Sequence, residues 1–208
     1  MVEPAVLIAF VPAAVALMLT PGPDMLFCLG KGLSGGRRGG LAAAAGVSLG
    51  CMVHALVSGL GLAALIAAWP AAFETIRWLG VAFLLWVAWR ALSAPLVGPA
   101  GGPVGAPARG AGAFRDGLLC NVANPKVGLF MLAFVPQFVS PAGDMLAQFL
   151  ALGAVLAAGG FVVNGLVGAF AGGLGRRLTG APRLERALRG VTATLFAGLA
   201  LRLALERR

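Results

Sequence analysis

Six long apolar segments constrain the fold of this chain more than any other feature. They cover roughly residues 5–29, 41–68, 76–92, 115–135, 146–173 and 188–204. A helix of about 20 apolar residues crosses the hydrocarbon core of a bilayer, and helices and closed barrels alone satisfy their backbone polar groups there. Of the 208 residues, 60% are hydrophobic and 11% are charged, and the mean hydropathy is +0.94. The sequence therefore predicts an all-α membrane protein with six transmembrane helices.

The first apolar segment is interrupted at Thr20-Pro21-Gly22-Pro23-Asp24. The two prolines remove amide donors and Gly22 loosens the backbone between them, so one continuous helix cannot pass through. In hydrocarbon such a break persists only where it faces protein or a wet cavity. We therefore expect a hinge or gate at Thr20, Pro21, Gly22 and Pro23. Asp24, at the helical restart, is interpreted either as a cap on free amides at a kink or as a ligand in a cavity.

A second interruption, Asn124-Pro125-Lys126, lies in the fourth segment and adds Pro125 to the expected hinge. Each half of the chain thus opens with a broken segment, followed by a long one and a short one. That order is typical of inverted structural repeats. The sequence predicts two inverted three-helix repeats, residues 1–94 and 114–208. Residues 95–113, rich in Pro, Gly and Ala, are expected to form a flexible cytoplasmic linker between them.

The basic residues predict the orientation of the chain. Most of the Lys and Arg residues follow the first, third and fifth segments. Because positively charged loops stay in the cytoplasm, both termini are expected outside, with the chain crossing the bacterial inner membrane several times. This placement accounts for the net charge of +9 without a nucleic-acid partner. Contact of the same loops with anionic lipid heads is a secondary expectation.

Asp24 and Lys126 are charged groups in segments where a central charge costs roughly 2.5–3.5 kcal/mol. Each follows its own break, so in mirrored halves the two charges either pair or flank one cavity. Such a cavity suits a zwitterionic solute, with its carboxylate at Lys126 or a half-helix N-terminus and its ammonium at Asp24. In an alternative interpretation, Lys126 snorkels to the cytoplasmic interface.

Uncharged polar residues complete the candidate site. Asn121 and Asn124 either bind the substrate or satisfy the broken backbone. Asp24 and His54, the single histidine, are the candidates for proton coupling. The alternative for His54 is a hydrogen-bonding group between helices. Further cavity lining is expected from Ser48, Ser58 and Asn164.

The glycines of the second and fifth segments predict close helix packing. Gly46 and Gly50 have the small-xxx-small spacing that lets two helix backbones approach, and the fifth segment carries five glycines of its own. In a bilayer such packing, rather than the hydrophobic effect, holds helices together. We therefore expect these two segments at the centre of the bundle.

Cys28, Cys51 and Cys120 lie within apolar segments, without a Cys-x-x-Cys pair or a cluster of histidines. They are interpreted as packing residues, so no metal site, disulfide scaffold or cofactor is expected, and the chain is expected not to be an enzyme. Two other function classes stay open. One is a membrane thiol oxidoreductase that uses Cys28 and Cys120, and the other is export of another small solute or a metal ion.

Several motifs resemble a known family. In the first half these are Thr20 to Asp24, the basic glycine-rich loop Gly35–Gly40, and Gly46 with Gly50 and His54. In the second half they are Phe114-Arg115-x-Gly117, Asn121-x-x-Asn124-Pro125-Lys126 and Pro136-Gln137-Phe138. Together they resemble the LysE/RhtB family of amino-acid exporters over nearly the whole chain.

The resemblance implies export of amino acids or close derivatives from the bacterial cytoplasm, driven by the proton gradient or the membrane potential. Combined with the predicted repeats, it gives a secondary exporter that works by alternating access. The two halves rock about the breaks, and a proton moves inward as substrate leaves. The oligomeric state is left open, a homo-oligomer included.

Overall fold

The computed structural model describes residues 2–68, 72–93, 110–140, 142–171 and 182–205. Their backbone is helical apart from short turns, which confirms the predicted all-α class for the described part of the chain. The helices are α1, Pro4–Leu19; α2, Pro23–Ala68; α3, Ala72–Ser93; α4, Ala111–Val122; α5, Pro125–Leu129; α6, Met145–Ala169; and α7, Pro182–Leu205. α5 continues as a π-helix, Phe130–Phe134, and a 3-10 helix, Val135–Phe138.

Within the described residues, two helices are long and apolar enough to cross a membrane, Pro23–Leu62 and Met145–Ala169. A third span results if Ala111–Val122 and Pro125–Phe138, which are bent by 50° at their break, count as one. α1 is apolar but has 16 residues and is shorter than a bilayer core requires. The membrane class is therefore supported, and the number of six spans stays a prediction.

The first predicted break is confirmed. α1 ends at Leu19, and Thr20 has an extended backbone with φ −71° and ψ 112°. The Thr20 hydroxyl turns back and donates to Ala16 O at 2.5 Å. Pro23 then opens α2, a position where its missing amide is harmless because the first amides of a helix have no partner within the helix.

α2 reverses direction at Gly36, which has φ 67° and ψ −169°. This backbone conformation is open almost exclusively to glycine. Asp24 before the turn and Gly50 after it both lie against Asn121 of α4, so the two arms of α2 lie side by side. Here the structure differs from the expected loop at Gly35–Gly40, because one residue with positive φ reverses the chain and its neighbours remain helical.

The second arm of α2, residues 37–68, packs on α6 through small residues. Gly40 lies against Gly168, and Ala55 lies against Gly153 nearer the other end, so the two helices run antiparallel. A Cβ atom on Gly168 would lie 2.8 Å from the Cα of Gly40. Among the described helices this pair has the most extensive contact. The prediction that the second and fifth apolar segments are central is confirmed.

Helices of the two halves interleave. α2 packs on α4 and α6, and α3 packs on α7, whereas α2 and α3, which follow each other in the chain, touch little. The shared core includes Phe10 and Leu84 from the first half and Phe130 and Phe149 from the second. The division into residues 1–94 and 114–208 therefore stays a prediction about repeats. Residues 95–109 of the expected linker lie outside the described part, and α4 begins at Ala111.

The second predicted break is also confirmed. α4 ends at Val122, and Asn124 has an extended backbone that opens α5. The Asn124 side chain accepts a hydrogen bond from the Lys126 amide at 3.0 Å, and Pro125 occupies the first helical position. Both features are typical helix starts. The chain therefore restarts as a helix at each break.

Candidate functional site between the two helix breaks

Lys126 connects the second break to the first. Its Nζ donates to Leu17 O at 3.0 Å and to Thr20 O at 2.6 Å. These carbonyls lie at the end of α1, where no further helical amide follows to pair them. The ammonium also faces the negative end of the α1 dipole. Lys126 therefore satisfies a broken backbone inside the bundle, a role that the structure favours over snorkelling.

Asp24 faces α4, in the other half of the chain. Its Oδ2 accepts a hydrogen bond from Asn121 Nδ2 at 2.8 Å, and its Oδ1 accepts a weak one from Cys120 Sγ at 3.9 Å. Because these donors come from α4 and not from the first amides of α2, the carboxylate bridges the halves and does not cap its own helix.

Asn121 is 1% exposed and joins three elements. Its side-chain nitrogen binds Asp24, and its backbone oxygen accepts from His54 Nε2 at 3.0 Å and from Asn124 N at 2.8 Å. Since a carbonyl only accepts, the His54 Nε2 must carry a hydrogen. The hydrogen-bonding interpretation of His54 is confirmed, and proton carriage by His54 stays a prediction.

The side-chain oxygen of Asn121 is buried and has no hydrogen-bond partner. It lies against the backbone of Gly50, where a Cβ atom would come within 2.7 Å of it. A buried unpaired acceptor costs about 1–3 kcal/mol. The close approach that Gly50 permits therefore keeps Asn121 beside Asp24 despite that cost.

A cavity lies between the two breaks. The space open to the centres of water-sized spheres is about 60 Å³, whereas one water needs roughly 10–15 Å³ on this measure. The cavity therefore has room for several waters or for the polar part of a small solute. Its polar wall comprises Thr20, Asp24, Ser48, Asn121, Asn124, Lys126 and Asn164, and its apolar wall includes Leu17, Met18, Met25, Val47, Leu156 and Ala157.

Asp24 and Lys126 flank this cavity without pairing. Asp116 forms ion pairs with Lys31 and with Arg115, whereas no ion pair joins Asp24 to Lys126, both of which the structure describes. Two of the three ammonium hydrogens of Lys126 are used by α1, which leaves one donor. The Asp24 carboxylate likewise keeps acceptor capacity beyond its two donors. Of the two arrangements left open by the sequence, the structure has the one in which the charges share a cavity.

Some of the other expected residues line the cavity and others do not. Ser48 and Asn164 line the cavity as predicted, whereas Ser58 is buried and is not part of the lining. Gly22 lines the cavity, and a Cβ atom there would lie 3.5 Å from Lys126 Nζ. Pro21, Pro23 and Pro125 shape the two breaks and do not contribute to the lining.

The three cysteines are free thiols. Cys28 and Cys51 are buried, which fits the predicted packing role, and Cys120 is half-buried beside Asp24. Within the described residues, no group of three or more His, Cys, Asp and Glu side chains is arranged to hold a metal ion.

A partly buried ion pair between the first arm of α2 and α4 was not predicted from the sequence. Lys31 Nζ lies 2.9 Å from Asp116 Oδ2 and 5.3 Å from the centre of the Phe27 ring, and Lys31 is 5% exposed. Lys31 follows Asp24 by two helical turns, which is roughly 10 Å along the axis. The sequence places it among the orientation signals, and no local pattern links it to an acid 85 positions away.

The apolar wall of the cavity was also not predicted, because the sequence of an apolar segment does not show which of its side chains point into a cavity.

A bundle of apolar helices that holds a polar cavity between two broken helices is the architecture of a membrane transport protein. Comparison with known sequences agrees. The chain belongs to the LysE type translocator family, whose model matches residues 15–207, and the resemblance to the LysE/RhtB family is confirmed.

Three relatives illustrate the similarity. An uncharacterized membrane protein of Vibrio cholerae is 32% identical over 95% of both chains. A leucine efflux protein of Enterobacter sp. is 31% identical over 94% of this chain and 93% of its own. A homoserine/homoserine lactone efflux protein of Salmonella typhimurium is 32% identical over 70% of each chain. No solved structure matches this chain.

Proposed function

We propose that this chain is a secondary-active exporter that moves amino acids or close derivatives out of the bacterial cytoplasm across the inner membrane. The observation that carries the proposal is the cavity in which Asp24 and Lys126, from opposite halves, face one space without pairing. Relatives named for leucine efflux and for homoserine/homoserine lactone efflux support the same class of substrate.

The charges of an amino acid complement the two ends of this cavity. The α-carboxylate takes the remaining donor of Lys126, and the α-ammonium takes the acceptor capacity of Asp24, with Asn121 and Asn124 beside them. In a site with little water, such charge-assisted hydrogen bonds are about twice as strong as neutral ones. The aliphatic or hydroxylated side chain then lies against the apolar wall.

Alternating access in this proposal uses the pairing of equivalent helices. α2 packs antiparallel on α6, α3 packs on α7, and the two breaks meet at Lys126. Inverted repeats related by an axis in the membrane plane produce this kind of pairing. Rocking of the halves changes φ and ψ at the hinge residues, Thr20 to Pro23 and Asn124 with Pro125, while the helices move as units.

The Lys31–Asp116 ion pair closes one side of the cavity in this scheme. It ties the first arm of α2 to α4 between Asp24 and the turn that carries Arg37 and Arg38. Separation of the pair opens a path between those helices towards the cytoplasmic side. Phe27, stacked on Lys31, adds an apolar layer to the closed state.

Proton coupling follows from competition at one carboxylate. Asp24 binds either the substrate ammonium or a proton, so a proton that enters from outside displaces the substrate and is carried inward. The membrane potential adds roughly 2.3 kcal/mol per 100 mV for each charge that moves inward, so it favours proton entry and with it substrate export. His54, held to the Asn121 carbonyl, orients that residue.

Counterflow in proteoliposomes tests the proposal. Purified protein is reconstituted with leucine, homoserine, threonine or lysine inside, and uptake of the labelled compound is followed with and without an imposed pH gradient. The wild type is expected to exchange neutral amino acids and to concentrate them when the gradient is present. An Asp24→Asn variant, which keeps the shape and the contact with Asn121, is expected to retain exchange but lose the response to the gradient.

The matched control is Glu3→Gln, which removes an exposed carboxylate at the start of α1 that makes no side-chain cap. It is expected to behave as the wild type in both assays. Absence of exchange for every amino acid would contradict amino-acid export. A full response to the gradient by Asp24→Asn would leave export standing and remove Asp24 from proton coupling.

A further inference from the structure

Gly160 of α6 occupies an unusual position on the cavity wall. Leu156, Ala157, Gly160 and Asn164 all line the cavity, and their spacing places them on one face of the helix. Asn164 is the polar member of this face, and the other three form an apolar surface that lines the cavity. The α6 face therefore presents apolar surface to the cavity beside the charged and polar groups of the two breaks.

The other glycines of α6 are explained by close helix packing. A Cβ atom would lie 2.4 Å from Ala55 Cβ at Gly153, 2.5 Å from Met18 Sδ at Gly159, and 2.8 Å from Gly40 Cα at Gly168. At Gly165 it would reach Leu41 at 3.4 Å. A side chain at each of these positions would meet a neighbouring helix.

Gly160 has no such neighbour. A Cβ atom there would meet no atom within 4 Å, although the residue is only partly exposed and lines the cavity. Glycine within a helix is less favourable than alanine, because it gives up more backbone freedom on folding. Packing does not require glycine at this position, and its effect is to leave space open inside the cavity.

We infer that Gly160 sets the size of the amino-acid side chain that the cavity accepts, with its missing Cβ providing the room for an aliphatic chain as long as that of leucine. The inference rests on the proposed export of amino acids. It assigns the apolar α6 face to the substrate side chain and the charged breaks to the α-carboxylate and α-ammonium.

The test compares Gly160→Ala and Gly160→Val with the wild type in counterflow, using glycine, alanine, norvaline and leucine as substrates. The ratio of leucine to alanine exchange is expected to fall moderately in Gly160→Ala. In Gly160→Val it is expected to fall by about tenfold or more, the usual discrimination for a clash in an apolar pocket. Alanine exchange is expected to stay within about twofold, because the charged breaks are unchanged.

Gly61→Val is the matched control. Gly61 also lies within a helix and also has no atom within 4 Å of a built Cβ, but it is exposed on the outside of α2 and does not line the cavity. The control shares the effects of a β-branched residue in a helix, and its leucine to alanine ratio is expected to match the wild type.

Different failures have different meanings. If the wild type exchanges no amino acid, the proposed function fails and the inference fails with it. If the wild type exchanges amino acids and the Gly160 variants leave the ratio unchanged, or lower leucine and alanine exchange equally, the inference alone is overturned. If Gly160→Val does not fold, the ratio for Gly160→Ala decides.

Discussion

At the scale of single residues, Lys126 joins the two breaks. Its ammonium satisfies two carbonyls at the end of α1, and its amide is held by the Asn124 side chain. One lysine thus stabilises both the end of one helix and the start of another. The same ammonium faces the cavity, so structural and transport roles coincide at this residue.

Lys126→Met is therefore expected to lower stability as well as transport. Methionine keeps much of the length and apolar volume of the side chain but leaves Leu17 O and Thr20 O without their donor, at about 1–3 kcal/mol for each buried carbonyl. We expect a lower midpoint of thermal unfolding in detergent and no counterflow of amino acids.

Arg38→Met is the control for the loss of one positive charge, because Arg38 is exposed in the turn region of α2. Its unfolding midpoint is expected to equal that of the wild type. A Lys126→Met protein with an unchanged midpoint would show that water replaces the ammonium at the break, and the stabilising role of Lys126 would be withdrawn.

At the scale of helices, the reversal of α2 depends on one backbone conformation. Gly36 has φ 67° and no atom within 4 Å of a built Cβ, whereas Gly30 has a helical backbone and the same open surroundings. Alanine is therefore tolerated sterically at both positions, and only the backbone conformation differs between them.

Gly36→Ala is expected to destabilise the protein by about 1–3 kcal/mol, the typical strain of a non-glycine residue in this region. Gly30→Ala is expected to be neutral or to stabilise by up to about 1 kcal/mol, because alanine restricts the unfolded chain. Thermal unfolding of the two purified variants measures the difference. Equal midpoints for both variants would mean that α2 is able to turn with an ordinary backbone.

The second prediction at this scale concerns the Lys31–Asp116 ion pair and the access of reagents to the neighbouring Cys120. In a protein with Cys28→Ala and Cys51→Ala, Cys120 is the one remaining thiol and lies one helical turn from Asp116 on α4. Lys31→Ala is expected to speed alkylation of Cys120 by N-ethylmaleimide up to about fivefold, the effect of about 1 kcal/mol on opening of a partly exposed pair.

The exchanged pair Lys31→Asp with Asp116→Lys restores opposite charges between the same helices. Its alkylation rate is expected to return towards that of the parent protein. If Lys31→Ala reacts at the parent rate, the ion pair does not hold the helices closed, and the proposed gate must lie elsewhere.

At the scale of the whole molecule, the proposed orientation is open to a direct test. A parent protein that lacks the three native cysteines receives one new cysteine, either Glu3→Cys, before α1, or Arg38→Cys, beside the reversal of α2. Glu3→Cys is expected to react with a membrane-impermeant maleimide in intact cells, and Arg38→Cys only after the inner membrane is broken, because basic segments stay in the cytoplasm.

The cysteine-free parent serves as the control and also tests the alternative thiol chemistry. It is expected to export as the wild type does, since the buried cysteines fill space in the core. A folded parent without export would favour thiol chemistry. The reverse labelling pattern would invert the proposed orientation and leave the cavity as described.

The sequence by itself determined the all-α class, the membrane setting and both helix breaks. These are local consequences of residue type, because apolar runs and prolines act on the backbone wherever they occur. The candidate residues Asp24, Asn121, Asn124 and Lys126 were found in the same way, since each polar group stands out in an apolar segment.

The tertiary structure alone decided which of these groups meet. Lys126 binds α1, and Lys31 contacts Asp116, although these partners are far apart in sequence. The separation of Asp24 from Lys126 and the open space at Gly160 likewise depend on residues that are distant in the chain. No local pattern encodes such contacts, because they depend on how helices cross and on where small residues let backbones approach.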